Sequence, residues 1–547
     1  MKFKEQNITK AGAMLLLSAV IVKIIGALFK IPLSADYALG DLGFGYFSSC
    51  YDLYIPIYTL ALSGFPVAIA KMIADYTAQD DTEKVRSIFA VSFKTLLSGS
   101  VIIALLIALI SLPMIILSSK DGNIGYSLLA TAPSVVCCAV SSVYRGYFEG
   151  HKNMTATAVS NIIEALGKLI LGLSGGIIVI RITGNASLAA AATMFGITVG
   201  TLFSCIYLRF CFDKSNNIQP PINFREKVKD NAVLKELTLL LIPIAVASLS
   251  VGFTSFVDSV TLKPQLSAIL KADPQNSRVL LWGTYYENVP LNKIPTLLYG
   301  IKSKTHTLFN LVPTLTVALG MGAIPLVTEN FVKNNRTELK NNVDTVLKIS
   351  SILVMPISAG FISMGEGIME LLYGNMSSVL GGKLLMIYGI AALFAGLAVP
   401  TTSLLQAGDR QKTALYNIGF GILAKIICNV LLSGIVKINV FGAAIGTAVC
   451  FVLIFILNMV CIVKIYGFLP DIKTCFVKPL MASSLCGIVA FICEKTFDFR
   501  FSQVISIALG GVTYLTVLAI LKTISVKELK DIVKKHENRF KKWLQIT

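Results

Sequence analysis

Charged residues are scarce in this sequence of 547 residues. Asp, Glu, Lys and Arg together make up only 14% of the chain, whereas soluble domains carry about 25%. Hydrophobic residues make up 55%, and the mean hydropathy is +0.74. So little charge excludes a water-soluble globular protein and indicates a membrane protein.

The residues that build catalytic and metal sites are also scarce. The chain has three His, and its 11 Cys include no Cys-x-x-Cys pair and no Cys/His cluster. We find no Ser/His/Asp arrangement, no His-Glu-x-x-His motif and no phosphate-binding loop of the GxxxxGK[ST] type. The sequence therefore predicts a protein without covalent catalysis, metal or bound cofactor.

Long apolar stretches dominate what is present. A helix that crosses a hydrocarbon layer of about 30 Å needs about 20 mostly apolar residues. Fourteen stretches meet this requirement, near residues 11–30, 44–70, 88–117, 126–147, 154–180, 186–212, 237–260, 304–328, 344–372, 384–406, 413–436, 440–466, 476–494 and 502–522. The sequence predicts an all-α polytopic membrane protein with 14 transmembrane helices.

The net charge of +18 would suggest a nucleic-acid partner in a soluble protein. In a membrane protein, the distribution of Lys and Arg among the loops indicates instead which side of the membrane each loop is on. Lys and Arg concentrate in the loops on the side of the N-terminus and in the tail 524–547. By the positive-inside rule, both termini lie in the cytoplasm of a plasma-membrane protein. The excess charge then attracts anionic inner-leaflet lipids, and no nucleic acid is expected.

Two segments match at a shift of 258 residues. Gly150 aligns with Gly408, and Thr155 with Thr413, each after the end of a predicted span. We infer a duplication into two parallel six-helix lobes, with a binding site expected between them. The predicted domains are the lobes 1–213 and 237–466, a basic linker 214–236, an outer insertion 262–303, two additional helices in 467–523 and the basic tail 524–547.

Ionisable residues inside spans are costly, so they mark a cavity or a partner. Lys23 and Lys30 lie two helical turns apart on one face of the first span. Lys23 is near mid-helix, whereas Lys30 is close enough to the end of the span to reach the interface instead. A cavity lined by several Lys suits a polyanionic substrate, because each ammonium donates hydrogen bonds to phosphate.

Seven further charges complete the candidates: six join the substrate-binding set, and Asp258 is, with Asp52, a candidate for binding a coupling ion. Glu164 and Lys168 are spaced i, i+4, so they either form a structural ion pair or line the cavity. Asp52 and Asp258 are lone acids that either bind a coupling cation or pair with a neighbouring helix. The remaining candidates are cations of the eighth and eleventh spans: Lys302 and Lys304, beside His306, and Lys425.

Three motifs resemble the stage V sporulation protein B family of the multidrug/oligosaccharidyl-lipid/polysaccharide exporter superfamily, to which lipid II flippases also belong. The matching segments are Lys23-Ile24-Ile25-Gly26-Ala27-Leu28-Phe29-Lys30-Ile31-Pro32-Leu33, Ser63-Gly64-Phe65-Pro66-Val67-Ala68-Ile69-Ala70-Lys71 and Tyr144-Arg145-Gly146-Tyr147-Phe148-Glu149-Gly150. The resemblance implies a V-shaped, two-lobed transporter, and it implies conformational or motif roles for Gly64, Pro66, Arg145, Gly146 and Gly150.

The resemblance also implies a function. Relatives that flip lipid II use cationic residues of the first, second and eighth spans, which points to Lys23 and Lys30 here and places Lys302 and Lys304 in a comparable position. The expected activity is a flippase that moves lipid-linked cell-wall or polysaccharide precursor from the inner to the outer leaflet by alternating access. Coupling to Na⁺ or H⁺ stays open.

Two alternatives stay open beside the flippase. The first is a cation-coupled multidrug exporter of the same superfamily, which would use the acids Asp52, Glu164 and Asp258. The second is a membrane scaffold that binds wall-synthesis proteins through its basic tail.

Overall fold

The computed structural model describes residues 8–117, 124–214, 231–275, 277–496, 502–521 and 523. These residues are helical almost throughout and contain no β-strand. The predicted basic tail 524–547 and most of the linker 214–236 lie outside the described residues. The all-helical class expected from the apolar stretches is confirmed.

Seventeen α-helices follow one another along the described chain. They are α1 (Ile8–Ser34), α2 (Gly40–Thr59), α3 (Phe65–Thr77), α4 (Thr82–Leu117), α5 (Gly125–Gly150), α6 (Met154–Gly167), α7 (Leu173–Thr183), α8 (Ala186–Lys214), α9 (Asn231–Ala272), α10 (Ile294–Val332), α11 (Arg336–Ser363), α12 (Gly365–Tyr373), α13 (Ser378–Ala407), α14 (Gln411–Ser433), α15 (Phe441–Tyr466), α16 (Lys478–Thr496) and α17 (Ser502–Ile520).

Short π turns make some of these helices continuous. The turns at Leu60–Gly64, Lys168–Gly172 and Lys473–Val477 join α2 to α3, join α6 to α7, and lead into α16. A π turn inserts one extra residue into a helical turn and is frequent at functional sites. Lys168, one of the candidate binding residues, is the first residue of such a turn.

Twelve helical stretches among the described residues are long and apolar enough to cross a membrane. They are Gly40–Thr77, Thr82–Ile116, Gly125–Gly150, Met154–Thr183, Ala186–Lys214, Leu291–Val332, Arg336–Ser363, Ser378–Ala407, Gln411–Ser433, Phe441–Tyr466, Lys473–Thr496 and Ser502–Ile520. Helices α1 and α9 stand at the first and seventh predicted spans and have 27 and 42 residues. Because they are not among the twelve, the count of fourteen stays a prediction.

The segment 262–303, expected to be an insertion, is mostly helical. Its first part, 262–272, continues α9, and α10 already begins at Ile294. Only residues 273–293 separate the two helices, with short 3₁₀ turns at Ser277–Leu281 and Leu291–Lys293. The segment contains Pro264, Pro274, Pro290 and Pro295, and such a number of prolines favours a loop, but Pro264 and Pro295 lie within helices. Pro295 stands at the second position of α10, where the backbone N–H has no helical partner to lose.

Four interhelical turns share an unusual backbone conformation. A non-glycine residue with positive φ follows α3, α5, α10 and α13: Asp80 (56°), Lys152 (59°), Asn334 (54°) and Asp409 (57°). Such a backbone is uncommon outside glycine. It recurs here after spans that the predicted duplication pairs with each other: the second with the eighth, and the fourth with the tenth. The arrangement into two six-helix lobes stays a prediction.

The chain divides into two compact units. Unit 1 comprises residues 1–307, 372–380 and 422–446, and unit 2 comprises 308–371, 381–421 and 447–547. One core of unit 1 packs Ile69, Phe89, Tyr147 and Phe212 from α3, α4, α5 and α8. Unit 2 has its own core, which includes Val327, Leu347, Leu404 and Tyr466. All the charged clusters described below lie in unit 1.

Candidate functional site

Asp258 of α9 is the centre of a buried charged cluster. Its Oδ2 lies 2.5 Å from Lys302 Nζ of α10, and its Oδ1 lies 3.0 Å from Lys425 Nζ of α14. Asn429 Nδ2 donates to the same Oδ1 at 2.8 Å and to Thr261 Oγ1 at 3.2 Å. The three charged side chains are fully buried. Both carboxylate oxygens are therefore engaged, and a cation could bind Asp258 only by displacing an ammonium.

Lys304 of α10 forms a second cluster at the end of unit 1 where α1 ends and α2 begins. Its Nζ lies 2.7 Å from Asp41 Oδ1 and 3.3 Å from Asp36 Oδ1. Tyr286 donates to Asp41 Oδ2 at 2.8 Å, and the backbone N–H of Met376 donates to Asp36 Oδ2 at 3.2 Å. Each of the four carboxylate oxygens thus contacts one donor.

This second cluster joins four segments, and we call it the latch. Its residues are Asp36, Asp41, Tyr286, Lys304, Tyr373 and Met376. The backbone N–H of Asp36 donates to the carbonyl of Tyr373 at 2.8 Å, and the Tyr373 hydroxyl donates to the Lys304 carbonyl at 3.3 Å. Burial and the adjacent Asp41 carboxylate raise the pKa of the Tyr286 phenol above its usual value, which keeps it protonated as a donor.

Helices α2 and α10 approach closely beside the latch. A Cβ added to Gly300 would collide with the Asp41 carbonyl, and one added to Gly45 would collide with the Thr296 carbonyl. Only glycine allows the two backbones to lie this near each other. The contact fixes Lys304, one helical turn beyond Gly300, opposite Asp41.

Arg145 of α5 forms a third cluster with the predicted pair Glu164 and Lys168. Arg145 Nη2 lies 2.9 Å from Glu164 Oε2, and Lys168 Nζ lies 2.7 Å from Glu164 Oε1. Arg145 also donates to the hydroxyls of Ser160 and Ser204, both at 3.1 Å. The structure therefore contains the ion pair that the spacing predicted. It adds Arg145, which the sequence placed only in a conformational motif.

The remaining candidates, Lys23, Lys30 and Asp52, lie beside two tyrosines. Tyr299 donates to Asp52 Oδ2 at 2.6 Å. Tyr51, the residue before Asp52, lies beneath Lys30: the Lys30 Nζ is 4.2 Å from the centroid of the Tyr51 ring. Lys23 is exposed and lies within electrostatic range of Tyr51 and Lys30. We call Tyr51, Asp52 and Tyr299 the bridge, because they link α2 to α10.

Lys263 is a cation of this region that the sequence analysis missed. It is half-buried, and its Nζ lies 5.4 Å from the centroid of the Tyr299 ring. Lys302 Nζ lies 5.2 Å from the same centroid. Residue 263 falls within 262–303, which the sequence predicts to be an outer insertion. A helical periodicity that runs on past Pro264 was the signal that could have placed it on α9.

The candidate cations therefore fall into two kinds. Lys168, Lys302, Lys304 and Lys425 already contact carboxylates, and the last three are fully buried. Lys23, Lys30 and Lys263 have no carboxylate at ion-pair distance among the residues that the structure describes, and they are exposed or half-buried. The structure brings Lys30, Asp52 and Lys302 to one region and places Lys304 in the latch instead.

The sequence did not indicate Asp36 and Asp41 as site residues, because they lie in a short turn between two predicted spans.

The motif residues Gly64, Pro66, Gly146 and Gly150 meet where α5 packs against α3. A Cβ on Gly146 would lie 2.7 Å from Ile69 Cβ and 3.0 Å from the Pro66 carbonyl oxygen. A Cβ on Gly150 would lie 2.7 Å from the Ile73 Cβ. Gly64 ends the π turn immediately before α3. These residues shape a helix interface.

The described residues form an all-helical membrane protein whose buried side chains include Lys, Arg, Asp and Glu. Comparison with protein families identifies its relatives. Residues 8–268 match the family described as polysaccharide biosynthesis protein, and residues 310–511 match the family described as lipid II flippase MurJ. The chain is related to both, which confirms the resemblance drawn from the sequence.

Curated relatives match nearly the whole chain. Lipid II flippase MurJ of Bacillus subtilis (strain 168) is 25% identical over 536 residues, which cover 92% of this chain and 93% of the relative. Stage V sporulation protein B of the same organism is 22% identical over 544 residues, covering 96% and 98%. The first of these relatives is named as a flippase, a class of proteins that are not enzymes.

Solved structures share the fold. A lipid II flippase MurJ in an inward closed conformation aligns with a TM-score of 0.62 at 14% identity, covering 94% of this chain and 98% of the other. An inward-facing multidrug resistance MATE family transporter aligns with a TM-score of 0.59 at 13% identity, covering 82% and 96%. The fold is therefore common to flippases and drug exporters.

Proposed function

We propose that this protein is a plasma-membrane flippase for a lipid-linked cell-wall or polysaccharide precursor, such as an undecaprenyl-diphosphate glycan. It moves the head group from the inner to the outer leaflet by alternating access, with both termini in the cytoplasm. The relatives named above support this class of substrate for the chain. The transport step requires no covalent chemistry, only two conformations that expose the site to opposite sides.

The observation that carries the proposal is the set of lysines without carboxylate partners. A cation in a membrane interior is costly unless something compensates it. Among the described residues, Lys23 and Lys30 have no carboxylate at ion-pair distance, and Asp52 acts on Lys30 only from farther away. An anionic ligand therefore lowers their energy more than it would for an ion-paired lysine. The diphosphate of a lipid-linked precursor supplies that negative charge, while its prenyl chain stays in lipid.

The test is outward display of a labelled lipid-linked precursor in cells or reconstituted vesicles. We expect Lys23→Ala and Lys30→Ala together to reduce the flipping rate at least tenfold, because each removes a charge-assisted contact of about 1.5–3 kcal/mol. Lys94→Ala is the matched control, since Lys94 is exposed on α4. Unchanged display in the double variant would refute the proposal.

A second candidate is a cation-coupled multidrug exporter. The likeness of the fold to the MATE transporter favours it, and the Asp52 carboxylate, which accepts a hydrogen bond from Tyr299, has no cation at ion-pair distance among the described residues. An exporter would lose drug resistance with Asp52→Asn and keep it with Lys23→Ala. A flippase would show the opposite dependence, with precursor display sensitive to Lys23.

A further inference from the structure

The connection between α9 and α10, residues 273–293, presents large apolar side chains at its surface. Trp282 and Tyr285 are 64% and 66% exposed, and Val279 is 60% exposed. The Trp282 N–H donates to the Val279 carbonyl at 3.1 Å, so the two side chains lie on one side of a 3₁₀ turn, whereas Leu281 is buried. We call Val279, Trp282 and Tyr285 the exposed patch. Apolar side chains exposed next to one another indicate a surface that contacts another molecule.

Backbone contacts fix the exposed patch in place. The Tyr285 N–H donates to the Met376 carbonyl at 2.9 Å, and the Leu380 N–H donates to the Gly283 carbonyl at 3.0 Å. Gly283 has a φ of 82°, and a Cβ added to it would lie 3.2 Å from the Leu380 nitrogen. Tyr286, the next residue, belongs to the latch. The exposed rings are therefore carried by a backbone that is bonded to the start of α13.

The neighbouring spans determine the depth of this connection in the membrane. α8 and α13 are candidate spans of 29 and 30 residues, so each is about 45 Å long. A bilayer with its head groups is about 40–45 Å thick, which places the first turn of each helix in a head-group region. Leu380 of that turn in α13 is bonded to Gly283, and Ala186 of α8 lines a small cavity together with Lys293. The connection therefore lies at the level of the head groups.

We propose that the exposed patch inserts into the head-group region of the lipid leaflet on this side of the membrane and anchors the α9–α10 connection there. In the proposed topology this is the outer leaflet, but the inference does not depend on what the protein transports. Trp and Tyr are enriched at membrane–water interfaces, because their rings contact acyl chains while the indole N–H and the phenol hydroxyl reach water or head groups. The anchor holds Tyr286, which donates to Asp41 in the latch, at the membrane surface.

Tryptophan fluorescence tests the anchor directly. The chain has 2 Trp, so Trp543→Phe leaves Trp282 as the sole tryptophan of the full-length protein. The protein is placed in phosphatidylcholine nanodiscs whose acyl chains are unlabelled, brominated near the head group or brominated near the chain end. We expect Trp282 to lose most of its emission to bromine near the head group, less to bromine near the chain end, and little to acrylamide in the water.

Two reference positions calibrate the depth. Both are made in a protein that carries Trp282→Phe and Trp543→Phe. Leu105→Trp, at an exposed position within the span of α4, should be quenched by brominated chains and not by acrylamide. Lys333→Trp, in the exposed turn after α10, should be quenched by acrylamide alone. If Trp282 behaves like the tryptophan at position 333, the patch lies in water and the proposal is overturned.

Hydrogen exchange separates anchoring in lipid from packing on the protein. Trp282→Ser should accelerate exchange of the Tyr285 and Leu380 amides in nanodiscs, because the connection loses its anchor, and should leave both unchanged in lipid-free amphipol. Trp282→Tyr should restore most of the protection. Asn288→Ser, at an exposed polar position of the same connection, is the matched control. Equal acceleration in nanodiscs and amphipol would show that Trp282 acts by packing on the protein, and it would overturn the proposal.

Discussion

Asp258 compensates two ammonium groups inside unit 1, and its chemistry differs from that of an exposed acid. Removing one partner of a buried ion pair leaves an uncompensated charge, which costs about 3–5 kcal/mol. The same cost does not arise at the surface, where water solvates the remaining charge. Asp258, Lys302 and Lys425 therefore form one energetic unit.

We predict that Asp258→Asn lowers the stability of the protein by about 3–5 kcal/mol, because both Lys302 and Lys425 lose their carboxylate. Thermal unfolding of the detergent-solubilised protein measures the change. Asp213→Asn is the control: Asp213 pairs with Arg209 at 3.0 Å on the exposed end of α8, and its loss should cost less than about 1 kcal/mol.

A double substitution checks the cause. Asp258→Asn combined with Lys425→Met removes one of the stranded ammonium groups, so it should be more stable than Asp258→Asn alone. If the double variant were less stable than the single variant by the full effect of Lys425→Met, the two residues would be independent and the cluster would not be a unit.

At the scale of elements, small residues set how closely helices pack. On α5, Gly146 and Gly150 face Ile69 and Ile73 of α3, whereas Gly99 on α4 has nothing within 4 Å of where its Cβ would be. Added atoms in a filled interface force neighbours to move, at a typical cost of about 1–3 kcal/mol. In an open position, alanine in place of helical glycine is favourable by about 0.5–1 kcal/mol.

We predict opposite signs for two alanine substitutions. Gly146→Ala should lower the unfolding temperature because its Cβ collides with Ile69, and Gly99→Ala should leave it unchanged or raise it. Gly146→Ala combined with Ile69→Gly should cost less than the sum of the two single changes, since glycine removes the Ile69 Cβ and Cγ2 that the added Cβ would meet. Equal unfolding temperatures for Gly146→Ala and Gly99→Ala would contradict the packing described here.

On the scale of the whole molecule, the latch holds four segments together at one end of unit 1. It joins the α1–α2 turn, the α9–α10 connection, α10 and the α12–α13 turn around the fully buried Lys304. If the proposed flippase works by alternating access, we expect these contacts to break and re-form once per cycle.

We predict that Lys304→Gln loosens this end without unfolding the protein. Hydrogen exchange of the backbone in 35–41 and 372–377 should become faster, because the amide cannot compensate both Asp36 and Asp41. Mass spectrometry of the full chain measures it. Lys333→Gln, at an exposed pair with Glu329 at 2.5 Å, should change exchange only near its own position.

The reciprocal variants distinguish a latch from a general packing contact. Asp36→Asn with Asp41→Asn should accelerate exchange in the same two segments, and adding Lys304→Met to them should slow it again, because no charge then remains uncompensated. Faster exchange spread evenly over unit 1 would show that Lys304 supports the fold rather than this one end.

The amino-acid sequence by itself determined the membrane class, because a helix satisfies its own backbone hydrogen bonds and a run of about 20 apolar residues marks it directly. It also predicted the ion pair of Glu164 and Lys168, since residues spaced i, i+4 are neighbours on any helix. The family resemblance followed from local motifs, such as Arg145–Gly150, whose residues are contiguous.

The tertiary structure decided which charges meet. Lys302, Lys304 and Lys425 look alike in the sequence as lysines in or beside apolar spans, yet Lys302 and Lys425 share Asp258 while Lys304 contacts Asp36 and Asp41. Lys263 read as part of a loop until α9 was seen to continue through it. Contacts between helices distant in the chain depend on packing and on glycines such as Gly300, and no local pattern encodes them.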